Sequence, residues 1–443
     1  MILAGGERVD EFADLISAHY AVAGDEAAEA QWQIRAARHA AARFALPEAE
    51  RAINRALALL PASDAETRFS LLLEREALFH LQGRRDSQAA DLAALTTLAK
   101  TMGNPACLAD VALRQAVYHN AIGEFQMAND FARAAGEQAT IAGDLERQAR
   151  ARLLAGHSHR VRGQYDAAHV DFGAALDLAR RAGARDVEAE CLRAIGVTAQ
   201  EQGDTSIQRD SFQQALALAR DVGDKRSERR TLNSLGVMLE NLGDYEQARA
   251  YFEESLVLGR AIGDRAGIGT VLGNLGVTAM DTGDIHGARA YFEEALQIAR
   301  ETGDTVGVDV WLLNLAFVVA TEGDLETALS YYIEARRGFE RTGDRSSLGY
   351  VLNGQGRVLL EAGRPEEAID LLRAAVDLRE ELAQTHLTAE SRLLLAETLA
   401  ALGELPPARE TLALALPVLS GQGLETNEDT QRGLWAAYKV MVA

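Results

Sequence analysis

Glycine recurs every forty residues along almost the whole chain, at Gly83, Gly123, Gly163, Gly203, Gly243, Gly283, Gly323, Gly363 and Gly403. A second series falls halfway between, at Gly103, Gly143, Gly183, Gly223, Gly263, Gly303 and Gly343. Aspartate follows many of them, as at Asp204, Asp224, Asp244, Asp264, Asp284, Asp304, Asp324 and Asp344. Glycine takes the left-handed conformation that ends a helix, and the aspartate after it can cap the next one. A stop every twenty residues predicts helices of roughly 16–18 residues, about 25 Å long at 1.5 Å per residue. Two such helices make one forty-residue hairpin.

At 443 residues the chain is longer than one compact domain usually is, so several domains or a repeat array are expected. Seven prolines, 6% aromatic residues and an abundance of Ala, Leu, Arg and Glu favour an all-α array. Apolar residues between the glycines keep helical spacing. Leu232, Leu235 and Leu239 form a stripe on one first helix, and Ala248, Phe252 and Leu256 on its second. Small residues return at Gly156, Gly196, Gly236, Gly276, Ala316, Gly356 and Ala396, where close approach of two helix backbones is expected. Some units depart from the pattern. Gln208 replaces a small residue, Arg152 a leucine, and Leu372 and Leu412 an aromatic.

The set Leu235-Gly236, Gly243-Asp244-Tyr245, Ala248, Phe252 and Arg260, repeated forty residues on as Leu275-Gly276, Ala288 and Phe292, resembles the tetratricopeptide repeat. About eight units agree in phase. The familiar unit has about 34 residues, so these hairpins are a long variety, similar to the C-terminal sensor arrays of bacterial STAND-type signalling ATPases and transcriptional regulators. The resemblance implies an all-α, right-handed superhelical solenoid of about ten hairpins with terminal capping helices. The expected organisation is an irregular repeat-like stretch over 1–104, a regular array over 105–428 and a capping helix over 429–443, with Trp435 packed on the last repeat. Residues 9–22 are expected to form an amphipathic helix. The stretch 10–61 resembles the segment that joins the nucleotide switch of STAND proteins to their array, but the chain has no Gly-x-x-x-x-Gly-Lys-Ser/Thr loop.

The net charge of −21 opposes generic binding to nucleic acid or to anionic membrane surfaces. No run of eighteen apolar residues occurs, and residues 1–10 do not read as a signal peptide. Cys107 and Cys191 lack metal or redox spacing and suit two buried thiols in a reducing cytoplasm. No catalytic motif is present. His157 and His159 point in different directions on a helix, and Glu253-Glu254 and Glu366-Glu367 fall at solvent-facing positions. The chain reads as a non-enzyme needing no cofactor and no metal.

Function is expected on the concave face, which the resemblance assigns to the first helices. Its offsets place Arg150, His157, Arg160, Arg193, Arg230, Asn233, Asn274, Asn314, Tyr350, Asn353 and Arg357 there. Asparagine is a poor helix-interior residue, so its return in four consecutive first helices has two readings. The carboxamide either grips an extended peptide backbone or bonds a neighbouring helix. The arginines of the middle repeats either attract an acidic ligand or pair with neighbours such as Glu190 and Glu240. The leading expectation is a protein- or peptide-binding scaffold or sensor of a bacterial signalling system, taking an acidic segment. The alternatives are a small-molecule sensor, for example of a sugar, for whose aromatic walls the groove offers only Tyr350 and Trp311, and a structural assembly platform using the convex face; self-association is a further expectation.

Overall fold

The structure, a computed structural model, describes residues 6–420. Among them there is no strand, only a short 3₁₀ helix, Gly6–Phe12, and 21 α-helices. The chain forms two compact units, Met1–Asn274 and Leu275–Ala443. The expected closing helix over 429–443, with Trp435, lies outside the described residues.

In the first unit an extra helix, Ala13–Ala23, precedes six hairpins. Glu26–Ala42 pairs with Leu46–Leu59, Ala65–Gln82 with Arg85–Met102, and Pro105–Ala121 with Phe125–Ala142. Leu145–Val161 pairs with Tyr165–Ala182, Arg185–Glu201 with Thr205–Val222, and Lys225–Asn241 with Tyr245–Ile262. The division falls within the next first helix, Arg265–Asp281, which Ile285–Thr302 follows. In the second unit Thr305–Thr321 pairs with Leu325–Thr342, Arg345–Glu361 with Pro365–Glu381, and Thr385–Ala401 with Leu405–Ser420. The single helix expected over 9–22 is instead the tail of the 3₁₀ helix followed by Ala13–Ala23.

The turns follow the glycine–aspartate logic. Gly223 has φ 73°, and its N–H returns to the carbonyls of Ala219 and Arg220. The Asp224 carboxylate then accepts the amides of Arg226 and Ser227 at the start of the next helix. Thus one residue closes a helix and the next opens its successor. Two other residues stand in the same left-handed region without being glycine, Phe44 at φ 56° and Ala383 at φ 55°. Both sit at helix ends, where the twenty-residue ladder lacks its glycine.

The small residues of the first helices make room for a ring. A Cβ at Gly236 would lie 2.4 Å from Cε1 of Phe252, and one at Gly276 2.5 Å from the same atom of Phe292. Gly156 and Gly196 face Phe172 and Phe212 in the same way. The aromatics of the second helices are fully buried, so the spacing reflects side chain against backbone rather than two backbones in contact. Leu372 fills the aromatic's place beneath Gly356, and Leu412 is likewise buried. Arg152, where a leucine is expected, turns outward and pairs with Asp171 at 2.9 Å. Gln208 is buried and bonds Gln200 at 3.0 Å. Cys191 is buried, but Cys107 is only half-buried, because its phase on Pro105–Ala121 points it to the edge of the core.

The first unit coils back on itself. A Cβ at Gly263, the stop of the sixth hairpin, would meet Leu46 Cδ1 of the first hairpin at 2.9 Å. The first and sixth hairpins of this unit are therefore in contact, and first-helix residues far apart in the chain, such as His80 and Arg230, act on one another electrostatically.

Candidate functional site

Arg193 and Glu190 lie one turn apart on Arg185–Glu201, with guanidinium Nη2 3.0 Å from the carboxylate. Forty residues on, Arg230 reaches the other oxygen of the same carboxylate at 3.1 Å, and the Ser227 hydroxyl donates to it at 2.9 Å. Two guanidiniums and a hydroxyl hold Glu190 ionised, with its pKa far below the carboxylate range although burial opposes this. Burial also brings the Arg193 guanidinium down to about 10. Desolvation, with the fields of Arg193 and Arg230, pushes His157 down to about 3, so its ring is neutral. That ring packs edge-on to Phe172 with centroids 5.2 Å apart.

The flanking expected residues sit in pairs as well. Arg150 bridges Glu146 at 2.9 Å and Asp186 at 2.6 Å, and Arg160 pairs with Glu201 of the next first helix. Asn233 and Asn274 join adjacent first helices, the Asn274 amide donating to Asn233 Oδ1 at 2.9 Å. The arginines are largely paired with neighbouring carboxylates, and the first two asparagines form a helix-to-helix link.

Sequence reasoning missed three groups of the same interior. His80, on Ala65–Gln82, is pushed down to about 3 by burial first, then by the field of the adjacent Arg85 and those of Arg226, Arg114 and Arg230. Arg114 stands 3.4 Å from Glu76. Arg226, one turn before Arg230, has no carboxylate within ion-pair distance among the described residues, and burial lowers its pKa. The i, i+4 spacing of Arg226 and Arg230 is a signal that could have found Arg226. No local signal connects His80 to it, since coiling alone brings them together.

The second unit holds the other four expected residues. Tyr350 is 46% exposed, and the guanidinium of the fully buried Arg379 lies 5.1 Å from its ring centre. Arg379 donates to Leu387 O at 2.8 Å and to Ser391 Oγ at 2.7 Å. Arg357 lies over Phe317 at 4.9 Å. Asn314 is half-buried with no hydrogen-bond partner among the described residues, and Asn353 Oδ1 is buried without one. Trp311 stacks on the core ring of Phe292 at 6.2 Å, so it is a wall of the core as much as of a ligand site.

Among the described residues no group of His, Cys, Asp and Glu is placed to hold a metal ion, and no helix is long and apolar enough to cross a membrane.

A tetratricopeptide repeat family profile matches residues 227–301, 307–381 and 350–420. No curated protein sequence is matched by the chain. Among solved structures it is similar to a STAND signal transduction ATPase with a tetratricopeptide repeat sensor from Pyrococcus horikoshii. That likeness has a TM-score of 0.62 at 14% identity and covers 85% of this chain and 56% of the other. It is similar too to a Rap protein complexed with Competence and Sporulation Factor, with TM-score 0.53, 15% identity and coverage of 80% and 99%. A third likeness is to the Cut9-Hcn1 hetero-tetramer of APC/C, with TM-score 0.50, 15% identity and coverage of 76% and 57%. At these identities the shared feature is the fold, an all-α repeat solenoid.

Proposed function

We propose that this tetratricopeptide-repeat chain is a non-catalytic binding or sensing module of a bacterial signalling system, working in the cytoplasm on a protein or peptide segment rich in acidic groups. The segment lies against the first helices of Met1–Asn274, with Arg150, His157, Arg160, Arg193, Arg230, Asn233 and Asn274 as the framework of the site. One observation carries this reading. A chain of net charge −21 gathers guanidiniums on the enclosed face of its first unit and leaves Arg226 there without a counter-ion. Long-range repulsion from the acidic exterior rejects generic polyanions, while a short acidic segment gains unscreened attraction once inside. The exposed Tyr350, with Asn314, Asn353 and Arg357, is a separate binding surface of the second unit.

The experiment is fluorescence anisotropy of acidic and basic peptide libraries on the full chain over a salt series. Acidic sequences should bind with an affinity that falls as salt rises, and Arg226→Glu should weaken it by about tenfold or more. Equal binding of both libraries, or unchanged affinity in the variant, removes this reading.

A further inference from the structure

We propose that the interior of Met1–Asn274 contains a site for a phosphoryl dianion, formed by Arg226, Arg230 and Arg114 with the Nε2–H of His80. The inference rests on the acidic-partner reading and names the group that reading leaves open.

The ion pairs around these residues leave a surplus of positive charge among the described residues. Glu190 alone serves both Arg193 and Arg230, so one positive charge of that trio is uncompensated. Arg226 adds a second. The two carboxylates in its electrostatic reach are committed elsewhere, Asp264 to Arg229 at 2.8 Å and Asp224 to the helix-start amides and the Ser227 hydroxyl. Among the described residues Arg114 is paired with Glu76 alone, at 3.4 Å, and Glu76 is itself engaged by Gln88 at 2.7 Å. A surplus of two charges fits a dianion better than a single carboxylate, and guanidinium forks match phosphate oxygens.

His80 supplies a neutral donor. Its Nδ1 lies 3.3 Å from Arg85 Nη1 and 3.4 Å from Gln88 Nε2. The Gln88 orientation is set by its Oε1 accepting from Arg85 at 2.8 Å. Both neighbours of Nδ1 are donors, so Nδ1 accepts and the proton resides on Nε2. That N–H has no partner within the protein among the described residues. Its ring lies in the fields of Arg85, Arg226, Arg114 and Arg230, in a unit whose first and sixth hairpins touch where Leu46 approaches Gly263.

The phosphoryl group can arrive on a phosphorylated side chain or on a free phosphorylated small molecule, and the test separates them. Inorganic phosphate is titrated into the full chain by calorimetry at constant ionic strength, alongside acetate. Saturable one-to-one phosphate binding is expected, absent for acetate and weakened about tenfold or more in Arg226→Gln. It should persist in Arg181→Gln, which lies on a second helix. Arg226 has no ion pair to break, so the variant leaves no buried orphan. As a second readout phosphate should shift the His80 imidazole resonances in the wild-type chain. A phosphoserine peptide binding more tightly than a sugar phosphate assigns the group to a protein segment, and the reverse assigns it to a small molecule. Phosphate that fails to bind, or binds Arg226→Gln equally without moving His80, overturns the site. If an unphosphorylated glutamate-rich peptide binds and phosphate does not compete, the site is overturned but the acidic-partner reading stands. If neither binds, both fall.

Discussion

The carboxylate of Glu190 is shared between Arg193 on its own helix and Arg230 exactly one repeat further on, at 3.0 and 3.1 Å. This bridge ties two consecutive first helices together on the face that looks inward. Removing the acid strands Arg193, which is only 9% exposed. Glu190→Gln should therefore destabilise the first unit by roughly 3 kcal/mol, the scale for breaking a buried pair, as read by urea unfolding. A variant as stable as wild type would show that the pair is dispensable.

The same cluster sets an acid limit. The folded-state pKa of Glu190 is depressed, so its stabilisation is present above the unfolded value near 4.3 and is lost as pH falls below it. The groups facing it are Arg193, Arg230, Ser227 and His157. His157 and His80 are also depressed, to about 3, so between about pH 6.5 and 3 the unfolded chain binds more protons at both. Stability should begin to fall below about pH 6.5, above the ordinary carboxylate range. His157→Gln should flatten the part of the curve between about pH 6.5 and 4.5, measured by thermal unfolding across pH. An unchanged slope would place the histidine in solvent.

Gly236 and Phe252 form another pair whose test is steric. A methyl at Gly236 has no space beneath the ring, so Gly236→Ala should cost about 1–3 kcal/mol. The protein itself contains the compensated version, Ala396 with Leu412, both buried in one core cluster. Phe252→Leu in the Gly236→Ala background should therefore recover part of the loss in a double-mutant cycle. Strict additivity would deny the coupling.

Ala383 holds a left-handed backbone at φ 55° where the ladder otherwise has glycine. Relief of Cβ strain outweighs the extra entropy of the unfolded chain, so Ala383→Gly should raise stability by roughly 0.5–1 kcal/mol. The converse change, Gly363→Ala at φ 70°, should cost about 1 kcal/mol. A loss of thermal stability in Ala383→Gly would contradict the strain.

The link between Asn233 and Asn274 predicts a coupling energy of about 0.5–1.5 kcal/mol between Asn233→Ala and Asn274→Ala. Zero coupling would show that the carboxamides act separately.

Much of this was legible in the chain. Glycine, aspartate and the apolar stripes act within a turn or between neighbouring helices, so their spacing alone specified helix ends, hairpins and the all-α repeat. The placement of Arg150, His157, Arg193 and Arg230 on first helices followed from the glycine phase, while their assignment to the concave face came from the resemblance. Which arginine would be left without a partner did not follow. Arg226 and Arg193 look alike as letters, and their difference arises because a carboxylate one turn away serves one of them while those near the other are already engaged. Nor could the sequence place His80 within the field of Arg226. That neighbourhood depends on how a small rotation per hairpin accumulates until Leu46 meets Gly263, a sum over six hairpins that no local pattern encodes. The repeat was determined by local chemistry, and the site by coiling.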